Sequence, residues 1–84
     1  MKRILIANRG EIAIRIARSV KDLGMKAVGI CSDDDLDSLH LSKMDESFMV
    51  DEQGANAYLN IKKIISIAKL CKVDAIHPGY GFLS

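Results

Sequence analysis

The stretch that decides the fold is RILIANRGEIAIRIARSVKDLGMKAVGIC, residues 3–31. Two short apolar runs, RILIA at 3–7 and KAVGIC at 26–31, have the composition of strands buried on both faces. Between them, residues 11–24 carry apolar side chains at helical spacing, and Gly24 stands where helices commonly end. The stretch therefore predicts a strand–helix–strand unit of about thirty residues.

The remainder of the chain repeats this alternation. DLDSLHLSKM at 35–44 predicts a short helix, ESFMV at 46–50 a third strand, and residues 53–56 a loop. Asn60 is placed to cap a second amphipathic helix that runs towards residue 73, and residues 74–76 then predict a fourth strand. Buried strands that alternate with helices favour a single α/β domain over residues 1–84, with a Rossmann-like open parallel sheet.

Composition excludes several classes of function. The 84 residues carry a net charge of +1, and the basic residues are scattered singly or in pairs, so we expect neither a nucleic-acid nor a membrane partner. No apolar run reaches the length of a membrane span, and we expect no signal peptide before the first strand. Cys31 and Cys71 stand far apart outside any metal-binding spacing, which predicts reduced thiols and a cytoplasmic location.

The turn NRGEIA, residues 8–13, has the layout of a dinucleotide-binding fingerprint but not its glycines. Asn8, Gly10 and Ala13 occupy the three glycine positions, so the tight first turn lacks its usual residue. Glu11 would repel a pyrophosphate at the helix N-terminus. We therefore predict that Gly10 lets the backbone turn and that Glu11 stabilises the helix, without NAD binding.

Three charged residues share one surface of the first helix. Arg15, Arg18 and Asp22 are spaced three and four residues apart. One interpretation is a solvated face with an ion pair between Arg18 and Asp22, and the other is a subunit interface.

The segment HPGYGF, residues 77–82, follows the fourth predicted strand and contains two permissive glycines. The Pro-Gly pair predicts a tight turn with a positive φ at Gly79, and Tyr80 between two glycines suits ligand contact as well as a residue that closes the core. His77 is interpreted as bonded to the backbone rather than as a general base. No other histidine or cysteine stands at ligand spacing from it, so no metal site is predicted.

Three separated segments resemble the N-terminal end of the biotin carboxylase domain of biotin-dependent carboxylases: IANRGEIAIRIAR at 6–18, AYLNIKKII at 57–65 and DAIHPGYGFLS at 74–84. The resemblance implies the pre-ATP-grasp domain of a ligase in which ATP, with Mg2+, activates bicarbonate as carboxyphosphate. The carboxyl group then passes to biotin held by a carrier domain. The resemblance also implies that Tyr80 and Gly81 lie beside biotin and bicarbonate, and that Arg15, Arg18 and Asp22 lie in a homodimer interface. From its place before this loop, we expect His77 to be a supporting residue.

The chain departs from the family pattern at two positions, since Asp22 replaces a glutamate and Met44 replaces a small residue, usually alanine. The lysines, metal-binding glutamates and arginine that the family uses for catalysis fall after Ser84. We therefore expect a truncated N-terminal fragment that contains no catalytic residue, is inactive alone and leaves apolar surface uncovered beside the fourth strand. The alternatives are a free-standing Rossmann-like docking or assembly module, and a nucleotide-binding regulator that uses SDDD at 32–35.

Overall fold

A computed structural model of the chain describes residues 2–32, 39–50 and 56–79. Four strands and three α-helices alternate through these residues, with a 3-10 helix at Leu39–Lys43. In chain order the elements are β1 Arg3–Ile6, α1 Gly10–Asp22, β2 Lys26–Cys31, β3 Glu46–Met49, α2 Asn56–Leu59, α3 Ile61–Cys71 and β4 Ala75–His77.

The four described strands form one parallel sheet in the order β3-β2-β1-β4. β1 lies in the interior of this sheet, where Leu5 pairs with Val28 of β2 on one side and with Ile76 of β4 on the other. The chain order therefore reverses direction between β1 and β4. These observations confirm the predicted Rossmann-like parallel sheet, and they place the reversal point beside β1.

The core has two layers, one on each face of the sheet. Leu5, Val28 and Ile30 face α2 and α3, where Tyr58, Ile64 and Ala68 complete the cluster. The opposite face carries Ile6 and Ala27, which pack against Ala13, Ala17 and Val20 of α1. Successive strand residues point to opposite faces, so a continuous apolar run is what a sheet covered on both sides requires.

Two predicted helix boundaries are confirmed by their hydrogen bonds. Gly24 follows α1 with a φ of 79°, and the N–H groups of Gly24 and Met25 donate to the carbonyls of Lys21 and Val20 at 2.9 and 3.0 Å. This pair of bonds is the Schellman arrangement, which satisfies carbonyls at the helix end. At the start of α3, Asn60 Oδ1 accepts a hydrogen bond from the Lys63 N–H at 3.1 Å.

The structure differs from the sequence prediction in three local features. Asn56–Leu59 forms the short helix α2, whereas the predicted loop extended to residue 56. Of the predicted short helix at 35–44, the described part is a 3-10 turn at Leu39–Lys43. Leu23 lies within the apolar stripe predicted for residues 11–24 but is 74% exposed, because it is the C-cap residue of α1. Ile14 is buried instead.

Arg3 joins the amino ends of β1 and β3 to the carboxyl end of α3. Its guanidinium donates to both carboxylate oxygens of Glu46 on β3, at 2.9 and 2.8 Å, and also to the Cys71 carbonyl at the end of α3. The Arg3 N–H donates to Asp74 Oδ2 at 2.8 Å. Since β2 lies between β1 and β3, the side chain of Arg3 bridges across the amino end of β2.

Substitution of Arg3 by methionine is expected to lower the free energy of unfolding by about 1 to 2 kcal/mol. Methionine keeps the apolar stem but removes the bidentate ion pair, whose side chains are only 23% and 38% exposed. Arg15→Met is the matched control, because the Arg15–Glu11 pair is 75% and 67% exposed and should contribute little. Urea denaturation of both variants measures the difference, and equal losses would contradict the bridging role of Arg3.

β4 lies at one edge of the described sheet, with apolar surface on both sides of it. A groove of ≈ 510 Å³ separates β4 from α1 and is lined by Ile4, Ile16, Val20 and Ile76 among others. A second groove of ≈ 370 Å³ lies between β4 and α3, beside Ile65 and Ala68. Both grooves present apolar side chains at the surface of the described part of the chain. No helix in the described ranges is long and apolar enough to cross a bilayer.

Candidate functional site at the carboxyl edge of the sheet

The loops that follow β1 and β4 meet at the carboxyl edge of the sheet, because these two strands are parallel neighbours. The Ala7 N–H donates to the His77 carbonyl at 2.9 Å, which extends the ladder one bond beyond the strands. In open parallel sheets, ligands bind outside the carboxyl ends of the strands where the chain order reverses. This crevice is therefore the candidate site.

Asn8 joins the two loops through its side chain. Its Nδ2 donates to the Pro78 carbonyl at 2.9 Å, while its Oδ1 accepts a hydrogen bond from the Arg9 N–H at 2.8 Å. The residue is only 1% exposed, so a broken bond would leave a polar group away from water. In the sequence Asn8 stands out only as the place of a missing glycine, because its hydrogen-bond partner Pro78 lies seventy residues away.

The turn after β4 has the predicted conformation. Gly79 has a φ of 68°, and its N–H donates to His77 Nδ1 at 3.1 Å. This bond confirms that His77 is tied to the backbone, and it places the ring proton on Nε2 when the imidazole is neutral. Tyr80 and Gly81, the predicted ligand-contacting residues, lie outside the described residues. The structure describes the turn as far as Gly79, and Tyr80 and Gly81 are the next two residues in the sequence.

The turn after β1 also follows the prediction. Gly10 has a φ of 64°, which explains why this position requires a glycine, and Glu11 lies in the first turn of α1. Glu11 Oε1 accepts a hydrogen bond from Arg15 Nε at 3.4 Å, a pairing that was not among the predictions for this helix. A carboxylate at this helix end would repel a bound phosphate, which is the physical basis of the prediction against dinucleotide binding.

The charged face of α1 is exposed to solvent. Arg15, Arg18 and Asp22 all lie on it, but among the described residues no ion pair joins Arg18 to Asp22. Arg15 pairs with Glu11 instead. The expected pair was therefore wrong, and the face presents Arg18 and Asp22 outward.

A second cluster of polar side chains lies beside the loop that follows β1. His40 is buried, with Nε2 at 3.0 Å from the Ile30 carbonyl, and its ring meets the edge of Tyr58 at a centroid distance of 6.4 Å. The Arg9 guanidinium lies 5.7 Å from the centre of the Tyr58 ring. The cluster links the exits of β1 and β2 to α2, and it explains the burial of a histidine for which the sequence offered no partner.

The described part of the chain gives little support for a metal site or a reactive thiol. Residues 2–32, 39–50 and 56–79 contain no group of three or more histidine, cysteine or acidic side chains placed to hold a metal ion. Asp33, Asp34 and Asp35, on which the nucleotide-regulator hypothesis rested, lie outside these ranges. Cys31 and Cys71 are both thiols. Burial raises the pKa of the Cys71 thiol, an effect that Arg3 partly opposes and Glu46 reinforces.

The fold and the site define a Rossmann-like α/β unit with its candidate site at the reversal point of a parallel sheet. The family model described as the biotin carboxylase, N-terminal domain, matches residues 1–84. The chain is 56% identical over 86 residues to pyruvate carboxylase from Staphylococcus aureus and 49% identical over 85 residues to biotin carboxylase 1 from Bacillus subtilis. The chain belongs to the biotin carboxylase N-terminal domain family.

The structural comparison agrees with the sequence comparison. A biotin carboxylase–β-γ-ATP complex from Campylobacter jejuni matches 99% of this chain with a TM-score of 0.92 and 49% identity. The match covers 19% of the Campylobacter jejuni chain. Both sequence relatives match along 100% of this chain, which spans 8% of the pyruvate carboxylase and 19% of biotin carboxylase 1. The chain thus spans about a fifth or less of the length of these relatives.

Proposed function

We propose that this chain forms the opening part of a biotin carboxylase, the ligase that carboxylates biotin with bicarbonate at the expense of ATP. The observation that carries the proposal is the turn His77–Gly79, held against β1 by Asn8 at the carboxyl edge of the sheet. Membership of the family supports it. In this activity bicarbonate is activated as carboxyphosphate, and the carboxyl group passes to N1′ of biotin on a carrier domain.

Tyr80 and Gly81 are the proposed contacts of the chain with biotin and bicarbonate. They follow Gly79 directly, so their backbone begins at a point that two hydrogen bonds to the turn hold in place. A glycine at position 81 would let a ligand approach main-chain N–H groups, while the tyrosine ring offers an apolar face and a hydroxyl. His77 supports them through the turn and is not proposed to touch the ligand.

The described residues do not fit ATP or Mg2+. Transfer of a phosphoryl group needs cationic side chains and metal ligands around the phosphates. At the carboxyl edge Arg9 is directed over the Tyr58 ring, and Glu11 places a carboxylate at the start of α1. We therefore propose that other parts of the intact enzyme hold ATP and Mg2+, and that the 84-residue chain alone is inactive.

The proposed partners follow from the exposed surfaces. The apolar grooves on both sides of β4 fit the rest of the biotin carboxylase domain, which would complete the core. The outward face of α1, with Arg15, Arg18 and Asp22, is the proposed homodimer interface of the intact enzyme. Retention of both thiols is compatible with the proposed cytoplasmic location.

Tyr80 can be tested in a chimera in which residues 1–84 replace the matching segment of Bacillus subtilis biotin carboxylase 1. Tyr80→Ala is expected to lower the turnover of biotin by about 10- to 100-fold, because the ligand loses a positioning contact. The KM for ATP should stay within about twofold of its original value, since the chain is not proposed to bind ATP. Steady-state kinetics with each substrate varied in turn measures both effects.

Tyr80→Phe is the matched variant, because it keeps the ring and removes only the hydroxyl. Activity close to that of the unsubstituted chimera would assign the contact to the ring, and a loss equal to that of Tyr80→Ala would assign it to the hydroxyl. Parallel losses in turnover and in ATP affinity for Tyr80→Ala would instead show that the loop has a structural role only.

A further inference from the structure

Asn8 is the polar side chain that connects the two loops of the candidate site. Its amide uses both ends: Nδ2 donates to the Pro78 carbonyl on the loop after β4, and Oδ1 accepts from the Arg9 N–H on its own loop. The distances are 2.9 and 2.8 Å, and the side chain is buried. An amide is the side chain that can donate at one end and accept at the other in one plane.

Gly79 is fitted against this amide. A Cβ at position 79 would lie 2.7 Å from Asn8 Nδ2, which is closer than real Cβ contacts come, and 3.0 Å from Ile12 Cγ2, which is tighter than most of them. The N–H of Gly79 is held from the other side by His77 Nδ1. The observed turn satisfies Asn8, His77 and the positive φ of Gly79 together.

We propose that Asn8 is a positioning residue for the biotin side of the site, acting through the Pro78 carbonyl and the Gly79 backbone. The inference rests on the proposed function, because Tyr80 and Gly81 follow this turn. Asn8 is not proposed to touch biotin, bicarbonate or ATP. Its donor fixes the direction in which the chain leaves the sheet towards Tyr80.

The substitution Asn8→Asp removes the donor while keeping the size of the side chain. The remaining Oδ1 can still accept from Arg9, but the second oxygen would face the Pro78 carbonyl, and two acceptors repel each other. In the chimera with Bacillus subtilis biotin carboxylase 1, we expect kcat/KM for biotin to fall by about tenfold, the size of one lost buried hydrogen bond. The KM for ATP should remain within about twofold, since Asn8 acts on the biotin side only.

Asn60→Asp is the matched control. Asn60 acts as an acceptor for the Lys63 N–H, a role that a carboxylate keeps, so the kinetics of this variant should equal those of the unsubstituted chimera. If KM for ATP and kcat/KM for biotin deteriorate together in Asn8→Asp, or if neither changes, Asn8 does not position the biotin side.

A second measurement on the 84-residue chain does not depend on activity. The Gly79 amide should shift in a ¹H–¹⁵N spectrum and exchange faster with solvent in Asn8→Asp, while the Asn60→Asp chain keeps the original Gly79 signal. An unchanged Gly79 amide in Asn8→Asp would overturn the positioning role. If the unsubstituted chimera fails to carboxylate biotin, the proposed function fails, and the Gly79 amide still decides whether Asn8 holds the turn.

Discussion

Replacement of Gly79 by alanine is expected to lower the free energy of unfolding by about 2 to 5 kcal/mol, a larger effect than that of the other substitutions described. Two terms contribute. A non-glycine residue at a φ of 68° adopts the left-handed conformation, which costs about 1 to 2 kcal/mol. The new Cβ would also lie 2.7, 3.0 and 3.2 Å from atoms of Asn8, Ile12 and Ile16, and such overpacking adds about 1 to 3 kcal/mol.

Gly24→Ala separates the two terms. Gly24 has a φ of 79°, but a Cβ at that position would meet nothing within 4 Å. Its substitution should therefore show only the conformational cost, about 1 to 2 kcal/mol. Urea denaturation of the chain and both variants gives the comparison. Equal losses at the two positions would show that Gly79 is not fitted against Asn8, Ile12 and Ile16.

The second large effect concerns Gly29 and Met44, because the Met44 side chain fills the space that a Cβ at position 29 would take. A Cβ at Gly29 of β2 would lie 2.6 Å from Met44 Cγ and 3.3 Å from its Sδ. Met44 packs against the α1 side of the core, so its displacement would disturb that layer. Gly29→Ala is expected to cost about 1 to 3 kcal/mol of stability, with the flexibility of methionine favouring the lower end.

The same contact accounts for a departure from the family pattern. Met44 stands where the resemblance leads us to expect a small residue, and we interpret Gly29 as the residue that makes room for it. A double-mutant cycle with Gly29→Ala and Met44→Ala should therefore show a favourable coupling of at least about 1 kcal/mol. Additive effects in urea denaturation would show that the two residues do not share the space.

The sequence predicted the elements well because each depends on a local pattern. Each pattern lies within a short stretch of sequence: the apolar runs of β1 and β2, and the apolar stripe of α1. Gly24 and Asn60 likewise bond to backbone groups that are close to them in sequence. α2 was missed because its four residues are too short to show a helical period. The hydrogen-bonded pairing of β1 with β4 could be expected only from the general rules for how strands connect in parallel sheets.

The charged and polar contacts were harder to predict. On α1, Glu11 precedes Arg15, so the acid lies nearer the helix N-terminus, whereas Arg18 and Asp22 have the less favourable order. The order of the charges could have identified the pair that forms. Arg3–Glu46 and Asn8–Pro78 join residues far apart in sequence, and no local spacing predicts them. One signal for Asn8 was available in the sequence. Asn8 is a polar residue directly after a buried strand, and it lies beside the point where a second strand ends.

We propose that this chain forms the biotin-binding side of the site in a biotin carboxylase, and the chimera with Bacillus subtilis biotin carboxylase 1 tests this function most directly. ATP hydrolysis is measured with Mg2+ and bicarbonate, in the presence and absence of biotin. We predict biotin-dependent phosphate release by the chimera, and none above blank by the 84-residue chain alone. A chimera that folds without biotin-dependent turnover would contradict the claim and favour a free-standing docking module, and turnover by the chain alone would contradict it equally.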